Sequence, residues 1–245
     1  MTRAGPLAAG ALLIGGWQAL VLATGAPRYI LPGPWDVARV FADNAGLIAG
    51  HAGVTLAEVL IGLVVGAALG AGTAVLLALS RAASAVLGPI LLVSQAVPVF
   101  ALAPILTLWL GYGMAAKAAM AVLIIFFPVA SSFHDGLTRL PAGLADLSRV
   151  MGASRWREMR RLRIPAAAPS LASGLRIAAV YAPIGAVIGE WVGASEGLGY
   201  LMLLANGRAK TDLMFAALAA LAAMTLALHW AVGRLAARLA AYGAP

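Results

Sequence analysis

Cysteine is absent from the 245-residue chain, acidic residues are scarce, and lysine occurs only at Lys117 and Lys210. The lack of cysteine excludes disulfides, a thiolate nucleophile and a cysteine-ligated metal, and it leaves the redox compartment undetermined. A phosphate-binding loop of the pattern G-x-x-x-x-G-K-[ST] needs a lysine after a glycine-rich turn, and neither lysine has that setting. A nucleotide site of this type is therefore not expected in this chain.

The sequence shows no pattern typical of a catalytic centre or a metal site. The three histidines, His51, His134 and His229, fall in different segments without the spacing of metal ligands. The pattern H-E-x-x-H does not occur in the chain. We therefore expect a protein that is not an enzyme and has no cofactor of its own.

Hydrophobic sequence is what the chain has in excess. Hydrophobic residues make up 62% of it, charged residues 11%, and the mean hydropathy is +0.95, which is far from the composition of soluble domains. Crossing a bilayer takes about 20 apolar residues in a helix. Six such runs predict an all-α, polytopic membrane protein with one domain over residues 1–245, with spans at 7–25, 53–79, 85–108, 115–132, 172–192 and 213–235.

The N-terminal region leaves two interpretations open. The first run follows Arg3 and has features of a signal peptide, but it exceeds the usual apolar core of about 7–15 residues. We expect a retained span rather than a cleaved leader. After it, residues 28–50 include an amphipathic stretch, which predicts a periplasmic interfacial helix with one apolar side formed by Val37, Val40 and Phe41.

Positive charge is distributed unevenly between the connecting segments. With six spans and a cytoplasmic N-terminus, twelve of the 17 basic residues fall on the cytoplasmic side, as the positive-inside rule requires. Seven arginines from Arg139 to Arg163 concentrate in the loop of residues 133–171. The pattern predicts a multi-pass protein of the bacterial inner membrane with both termini in the cytoplasm. Clustering in one loop without interleaved aromatics does not indicate nucleic-acid binding.

This arginine-rich loop carries signals for local folding. Pro141 suits the first turn of a helix, and Gly152 suits a helix end. Ser154 can cap a second helix that runs to Leu162, and Pro165 is expected to stop it. The loop should therefore contain two short helices separated by a glycine.

The loop resembles the EAA loop of binding-protein-dependent ABC importer permeases, because Gly152 is followed after nine residues by Leu162-Arg163-Ile164-Pro165. Where the family has Glu-Ala-Ala, this chain has Asp146-Leu147-Ser148, so only the acidic position is retained. The alternative is a basic juxtamembrane loop that binds anionic lipid. The resemblance implies a coupling helix that docks in a groove of the ATPase subunit, with contacts from Asp146, Gly152, Ala153, Ser154, Trp156, Leu162, Ile164 and Pro165.

The resemblance also implies the fold, the partners and the mechanism. The fold would be that of a type I-like importer permease, and two permease copies, identical or paralogous, would meet around a pathway in the bilayer. Two ATPase subunits would bind ATP and Mg²⁺ on the cytoplasmic side, and a separate solute-binding protein would deliver the solute. ATP-driven closure of the ATPase pair would then switch the permease between inward-open and outward-open states.

Candidate pathway residues come from two regions. Proline inside a span frees a backbone carbonyl, which a water-lined cavity can satisfy, and the stretch after Gln95 with Pro98 and Pro104 resembles the proline-bearing stretch of these permeases. Acids in spans are costly and are functional candidates by default, which singles out Glu190, beside Trp191, and Glu58. A structural role in hydrogen bonding remains the alternative for both acids.

Residues 189–202, GEWVGASEGLGYLM, resemble the nitrate, sulfonate, taurine and aminopyrimidine branch of the family, and most of all its hydroxymethylpyrimidine permeases. Arg176 falls near the cytoplasmic end of the predicted fifth span, so no arginine deep in a span is expected to hold a sulfonate. Sulfonate, taurine and nitrate remain alternative solutes. A secondary transporter independent of ATP would show internal repeats or acid-base relays, and a membrane enzyme would show a nucleophile with its base; the sequence indicates neither.

Glycines at strict four-residue spacing mark the second span. Gly62, Gly66 and Gly70 predict a smooth helix face suited to close packing. We expect this face to pack within the same chain rather than against a second copy.

Overall fold

The computed structural model describes residues 4–140 and 142–242 and is all-α in that part, so the predicted fold class is confirmed. Arg3 and Pro141, which entered the predictions for the first span and for the arginine-rich loop, lie outside the described residues. The helices are α1 (Ala4–Thr24), α2 (Pro34–Asp43), α3 (Ala45–Leu79), α4 (Arg81–Ala96), α5 (Val99–Leu110), α6 (Met114–Thr138), α7 (Ala142–Val150), α8 (Arg155–Glu158), α9 (Ile164–Gly193), α10 (Leu198–Gly207) and α11 (Thr211–Tyr242).

Within the described residues, four helical runs are long and apolar enough to cross a membrane: α3, α6, the run that contains α9, and α11. The helices α1, α4, α5 and α10 contain shorter apolar stretches. The predicted first, second, fourth and sixth spans correspond to α1, α3, α6 and α11. The helix α3 begins at residue 45 rather than 53, because its N-terminal turns include the polar residues around His51.

The predicted third span, 85–108, is wrong as a single helix. The helix is interrupted between α4 and α5, where Val97 (φ −85°, ψ 117°) and Pro98 (φ −61°, ψ 121°) are extended. The proline ring disfavours the helical conformation of the residue before it. The third membrane segment therefore consists of two shorter helices joined at Val97.

Pro165 does not stop the helix that starts at Ser154, contrary to the sequence-based expectation. A π turn formed by Met159–Arg163 joins α8 to α9, and Pro165 lies in the first turn of α9. Proline is tolerated there because the wider π turn and the first helical turn do not require its missing N–H. The fifth span consequently begins at residue 164, not 172.

Three helices form the centre of the fold, with α6 packed between α3 and α9. The glycines of α3 face α6: a Cβ on Gly66 would lie 2.9 Å from the Cβ of Ile125, and one on Gly70 would lie 2.7 Å from the carbonyl oxygen of Phe126. Any larger side chain would force the helices apart. The prediction that this face packs within the chain is confirmed.

Glycines of α9 create the second close interface of α6. A Cβ on Gly174 would lie 2.9 Å from the carbonyl oxygen of Pro128, and one on Gly185 would lie 2.8 Å from Cα of Ala121. Such backbone approach is typical of membrane helices, where packing rather than hydrophobic burial holds helices together. These contacts also fix which residues of α6 and α9 stand at the same level.

The predicted interfacial helix is α2, but its apolar side packs on protein. Val37 is buried with Ile48, Leu198 and Leu201 and with alanines of α11, and Val40 is partly buried against the same cluster. Val37 and Val40 of the predicted apolar side are therefore covered by α10 and α11, whereas Phe41 is exposed; the interfacial location of α2 stays a prediction. Trp35 on α2 remains exposed.

Candidate functional site: the arginine-rich segment and the Glu190 network

The arginine-rich segment, residues 139–163, folds largely as its signals predict. Gly152 has φ +70°, a left-handed conformation that favours glycine, and a Cβ there would meet open space. The Ser154 hydroxyl accepts a hydrogen bond from the backbone N–H of Arg157 at 3.3 Å. The glycine end of α7 and the serine cap of α8 are thus confirmed.

Large apolar side chains of this segment are exposed outside the long spans. Val150 is 86% exposed and Met151 76%, and Leu147 and Trp156 are also exposed. A groove of about 330 Å³ between α7 and the π turn has a mostly apolar lining that also includes Arg157 and Arg161. Exposed apolar surface of this kind is typical of interaction sites.

The predicted contact residues divide into two groups by exposure. Asp146, Gly152, Ser154 and Trp156 are exposed, and they lie around the exposed end of α7. Ala153, Leu162, Ile164 and Pro165 are half-buried and belong to the base of the segment. The first group is thus accessible at the surface, and the second group is partly used for internal packing.

An ion pair that the sequence analysis missed ties this segment to the central helices. Glu158 is buried, and its Oε1 accepts a hydrogen bond from Arg163 Nε at 2.8 Å and lies 2.7 Å from Nη2 in an ion pair. The Ser148 hydroxyl of α7 donates to Glu158 Oε2 at 3.3 Å. Arg163 Nη1 donates to the carbonyl oxygen of Leu137 at 2.9 Å, at the end of α6 where helix carbonyls lack partners. One pair therefore joins α7, the π turn and α6.

Apolar packing next to this ion pair also joins the π turn to the central helices. Met159 is 1% exposed and packs with Phe133 and Leu137 of α6, Ala74 of α3 and Ala167 of α9. The sequence contained a signal for the Glu158–Arg163 ion pair, because Glu158 is one of few acids among many arginines. Which of the seven arginines pairs with Glu158 could not be predicted, because the π turn that brings Arg163 to it was not foreseen.

At the opposite end of α9, Glu190 is the centre of a second buried polar group, here called the Glu190 network. Glu190 is 1% exposed. Its Oε1 accepts a hydrogen bond from the Thr55 hydroxyl at 2.6 Å, and its Oε2 accepts one from the backbone N–H of Gly199. The backbone N–H of Leu198 donates to the Thr55 hydroxyl at 2.8 Å. The carboxylate therefore fastens the start of α10 to α3 and α9.

Gly197 and His51 complete the turn that enters α10. Gly197 has φ +115°, and a Cβ there would overlap the Glu190 carboxylate. Its backbone N–H donates to His51 Nδ1 at 3.0 Å, and Trp191 Nε1 donates to the carbonyl oxygen of Gly199 at 3.1 Å. Glycine is required at position 197 by both conformation and space.

A buried ion pair adjoins the Glu190 network. Lys117 Nζ lies 2.6 Å from Glu58 Oε1, and the Glu58 side chain is 0% exposed. Within the described residues, Glu58 Oε2 has no hydrogen-bond partner. The sequence analysis named Lys117 only as one of the two lysines and considered Glu58 by itself, so the pair was missed. The available signal was a lysine at the start of an apolar run.

The predicted pathway residues do not form one cluster. Pro98 and Pro104 are exposed on the α5 side, whereas Glu190 is enclosed by its network and Trp191 is half exposed beside it. The side chain of Gln95 lies outside what the structure describes. Glu190 therefore serves first as a positioning residue for α10 in this conformation.

Arg176 lies deeper than the sequence analysis expected. It is twelve residues after the first residue of α9, which is about 18 Å along a helix. Its neighbour Gly174 stands level with Pro128 of α6, ten residues or about 15 Å before the end of that helix at Thr138. The predicted span left four residues before Arg176, whereas twelve residues of α9 precede it in the structure, because this helix begins at residue 164.

Comparison with known proteins agrees with this architecture. Residues 62–241 match the family described as "Binding-protein-dependent transport system inner membrane component". A "Probable ABC transporter permease protein" of Haemophilus influenzae is 50% identical over 88% of each chain. The riboflavin transport system permease protein RibX of Chloroflexus aurantiacus is 38% identical over 91% of this chain and 84% of its own.

A permease named for a pyrimidine solute is also similar to this chain. The formylaminopyrimidine transport permease protein ThiX of Halalkalibacterium halodurans is 39% identical over 75% of this chain and 74% of its own. The fold matches a chain of the inward-facing MetNI methionine ABC transporter with a TM-score of 0.70, at 22% identity, over 80% of this chain and 97% of that one. The chain belongs to the family of binding-protein-dependent ABC transporter permeases, the non-catalytic membrane subunits of these transporters.

Proposed function

We propose that this permease carries an aminopyrimidine of the hydroxymethylpyrimidine type, a precursor of thiamin, across the inner membrane. The support is the sequence of residues 189–202, which resembles that of hydroxymethylpyrimidine permeases, together with the 39% identity to a formylaminopyrimidine permease. The relative named for riboflavin points to the same broader chemistry, because a pyrimidine and a flavin are both planar nitrogen heterocycles. A separate binding protein would select the solute, and the permease would give it passage.

The exposed apolar surface around Val150 and Met151 is the observation that carries the transport mechanism. An ATPase subunit docked on this surface would cover it, and the Glu158–Arg163 pair would transfer its movement to α6 and α9. In this proposal the arginine-rich segment and both termini are cytoplasmic. Two copies of the permease, each with one ATPase, would surround a shared pathway.

Arg176 favours a second candidate solute. A guanidinium within the bilayer is suited to a sulfonate, since it donates two hydrogen bonds to an oxyanion. A sulfonate or taurine importer is therefore the alternative within the same family.

A growth test separates these solutes. A strain that cannot make the pyrimidine half of thiamin is supplied with limiting hydroxymethylpyrimidine, with the permease gene present or deleted and the ATPase and binding-protein genes intact. We expect growth to depend on the permease. Growth without it, combined with permease-dependent use of taurine as sulfur source or of riboflavin by an auxotroph, would refute the aminopyrimidine assignment and leave the family membership unaffected.

A further inference from the structure

Arg176 is exposed on the surface of α9 at a level that lies inside the bilayer. The residues beside it on α6, around Pro128, are about 15 Å from the end of that helix, so Arg176 would stand within the hydrocarbon layer, about 30 Å thick, of a bilayer that α6 crosses. A charged side chain at this depth is costly unless it faces water or a partner of opposite charge. The surface around Arg176 cannot simply face lipid.

Arg176 has no counter-ion among the residues that the structure describes. The ion pairs Arg28–Asp36, Lys117–Glu58 and Arg163–Glu158 do not include it. Its guanidinium also makes no hydrogen bond to another described residue. All five of its N–H donors are therefore available to a molecule outside this chain.

The exposed residues of α9 form one stripe. Ile177, Val180, Tyr181 and Ile184 are each between 42% and 48% exposed, and they follow Arg176 at the spacing of one helix face. The other side of α9 is buried, with Ala178, Ala182 and Gly185 packed toward α3 and α6. One polar group, one aromatic ring and several aliphatic side chains thus share a single uncovered face.

We propose that this stripe lines the solute pathway and that the Arg176 guanidinium binds hydrogen-bond acceptors of the solute as it passes mid-membrane. The inference rests on the transport function proposed above. A planar guanidinium can hydrogen-bond the ring nitrogens and carbonyl oxygen of a heterocycle or the oxygens of a sulfonate, and it can stack on an aromatic ring. Tyr181, five residues later on the same face, adds an aromatic surface. The same charge repels cationic solutes.

Cysteine labelling tests whether the stripe faces water. The chain has no cysteine, so Arg176→Cys and Tyr181→Cys can each be made singly in the importer assembled with its ATPase. Leu69→Cys is the matched control, because Leu69 is exposed at a similar level on α3, next to Gly70. We expect a charged, water-soluble thiol reagent to modify the two α9 variants at least tenfold faster than the control. Equal, slow modification of all three would refute a water-lined stripe, whatever the solute is.

Uptake measurements test whether Arg176 binds the solute. We expect Arg176→Gln to lower uptake of a hydrogen-bond-accepting solute roughly tenfold or more, because it loses a charge-assisted hydrogen bond, and Arg176→Lys to retain part of it. Arg208→Gln, which removes an exposed charge after α10, is the control. Aminopyrimidine and taurine are tested in parallel to identify the source of the acceptor atoms.

The outcomes separate this inference from the assigned solute. Fast labelling of Arg176→Cys without any aminopyrimidine uptake by the wild type would reject the solute and retain the pathway. Full uptake by Arg176→Gln would reject the binding role. Loss of permease pairing or of ATPase copurification in Arg176→Gln, together with slow labelling, would show that Arg176 instead meets an acid of a partner and would overturn the inference.

Discussion

Replacing Glu190 by glutamine should destabilise the protein although the two side chains have the same shape. Both carboxylate oxygens accept hydrogen bonds, one from the Thr55 hydroxyl and one from the backbone N–H of Gly199. A glutamine amide has only one oxygen, so its NH₂ group would face one of these two donors. Leaving one buried donor unsatisfied costs about 1–3 kcal/mol. For a chain of this length, a loss of about 2 kcal/mol corresponds to roughly 4–8 °C in midpoint temperature.

The assay is the fraction of purified protein that remains monodisperse after heating in detergent. Glu196→Gln is the matched control, because Glu196 lies in the same turn, loses the same charge and is exposed. We expect Glu190→Gln to lower the midpoint by several degrees and to impair uptake, with little change in the control. An equal midpoint for the two variants would show that Glu190 does not hold α10 and would refute the assignment of the Glu190 network as a fastening.

Two predictions concern the arginine-rich segment. Gly152→Pro should release the ATPase from the purified complex, because proline cannot adopt φ +70°. Gly152→Ala should cost only about 1–2 kcal/mol of conformational strain, since its Cβ meets open space. Undiminished copurification of the ATPase with the proline variant would contradict docking at this site. Glu158→Gln should keep the ATPase bound but reduce the solute taken up per ATP hydrolysed, because Arg163 loses its charged partner between α7 and α6. Arg160→Gln, an exposed charge in the same turn, should leave this ratio unchanged, and a similar ratio in both variants would argue against transmission through the pair.

The existence of helices at long apolar runs could be predicted from the sequence, but not all of their bounds. The bounds of α1 lie within three residues of the prediction, whereas α6 continues past its apolar run to residue 138 instead of 132. The Gly152 and Ser154 signals identified the local structure between α7 and α8. The break at Val97 was also encoded, since a proline restrains the residue before it. The prediction of a single span over 85–108 came from hydropathy, which takes no account of backbone conformation.

Contacts between distant helices could not be predicted. The hydrogen bond between Thr55 and Glu190 joins residues 135 positions apart, and the pair of Lys117 and Glu58 joins residues 59 positions apart. Each depends on the register of two packed helices, which hydrophobic periodicity does not determine. The depth of Arg176 was misjudged for a related reason, because a π turn allowed the helix to continue through Pro165.

The uninterrupted course of α9 has a mechanical consequence. Its 30 residues span about 45 Å at 1.5 Å per residue, and it runs from the π turn beside Glu158 to the carboxylate of Glu190. A tilt of about 5° about the first end would displace the second by about 4 Å over that length. A hydrogen bond tolerates only a few tenths of an ångström. Thr55 and the Gly199 turn must therefore move with α9 or lose their hydrogen bonds to Glu190. A small tilt of α9 at one surface of the membrane thus produces an ångström-scale rearrangement at the other.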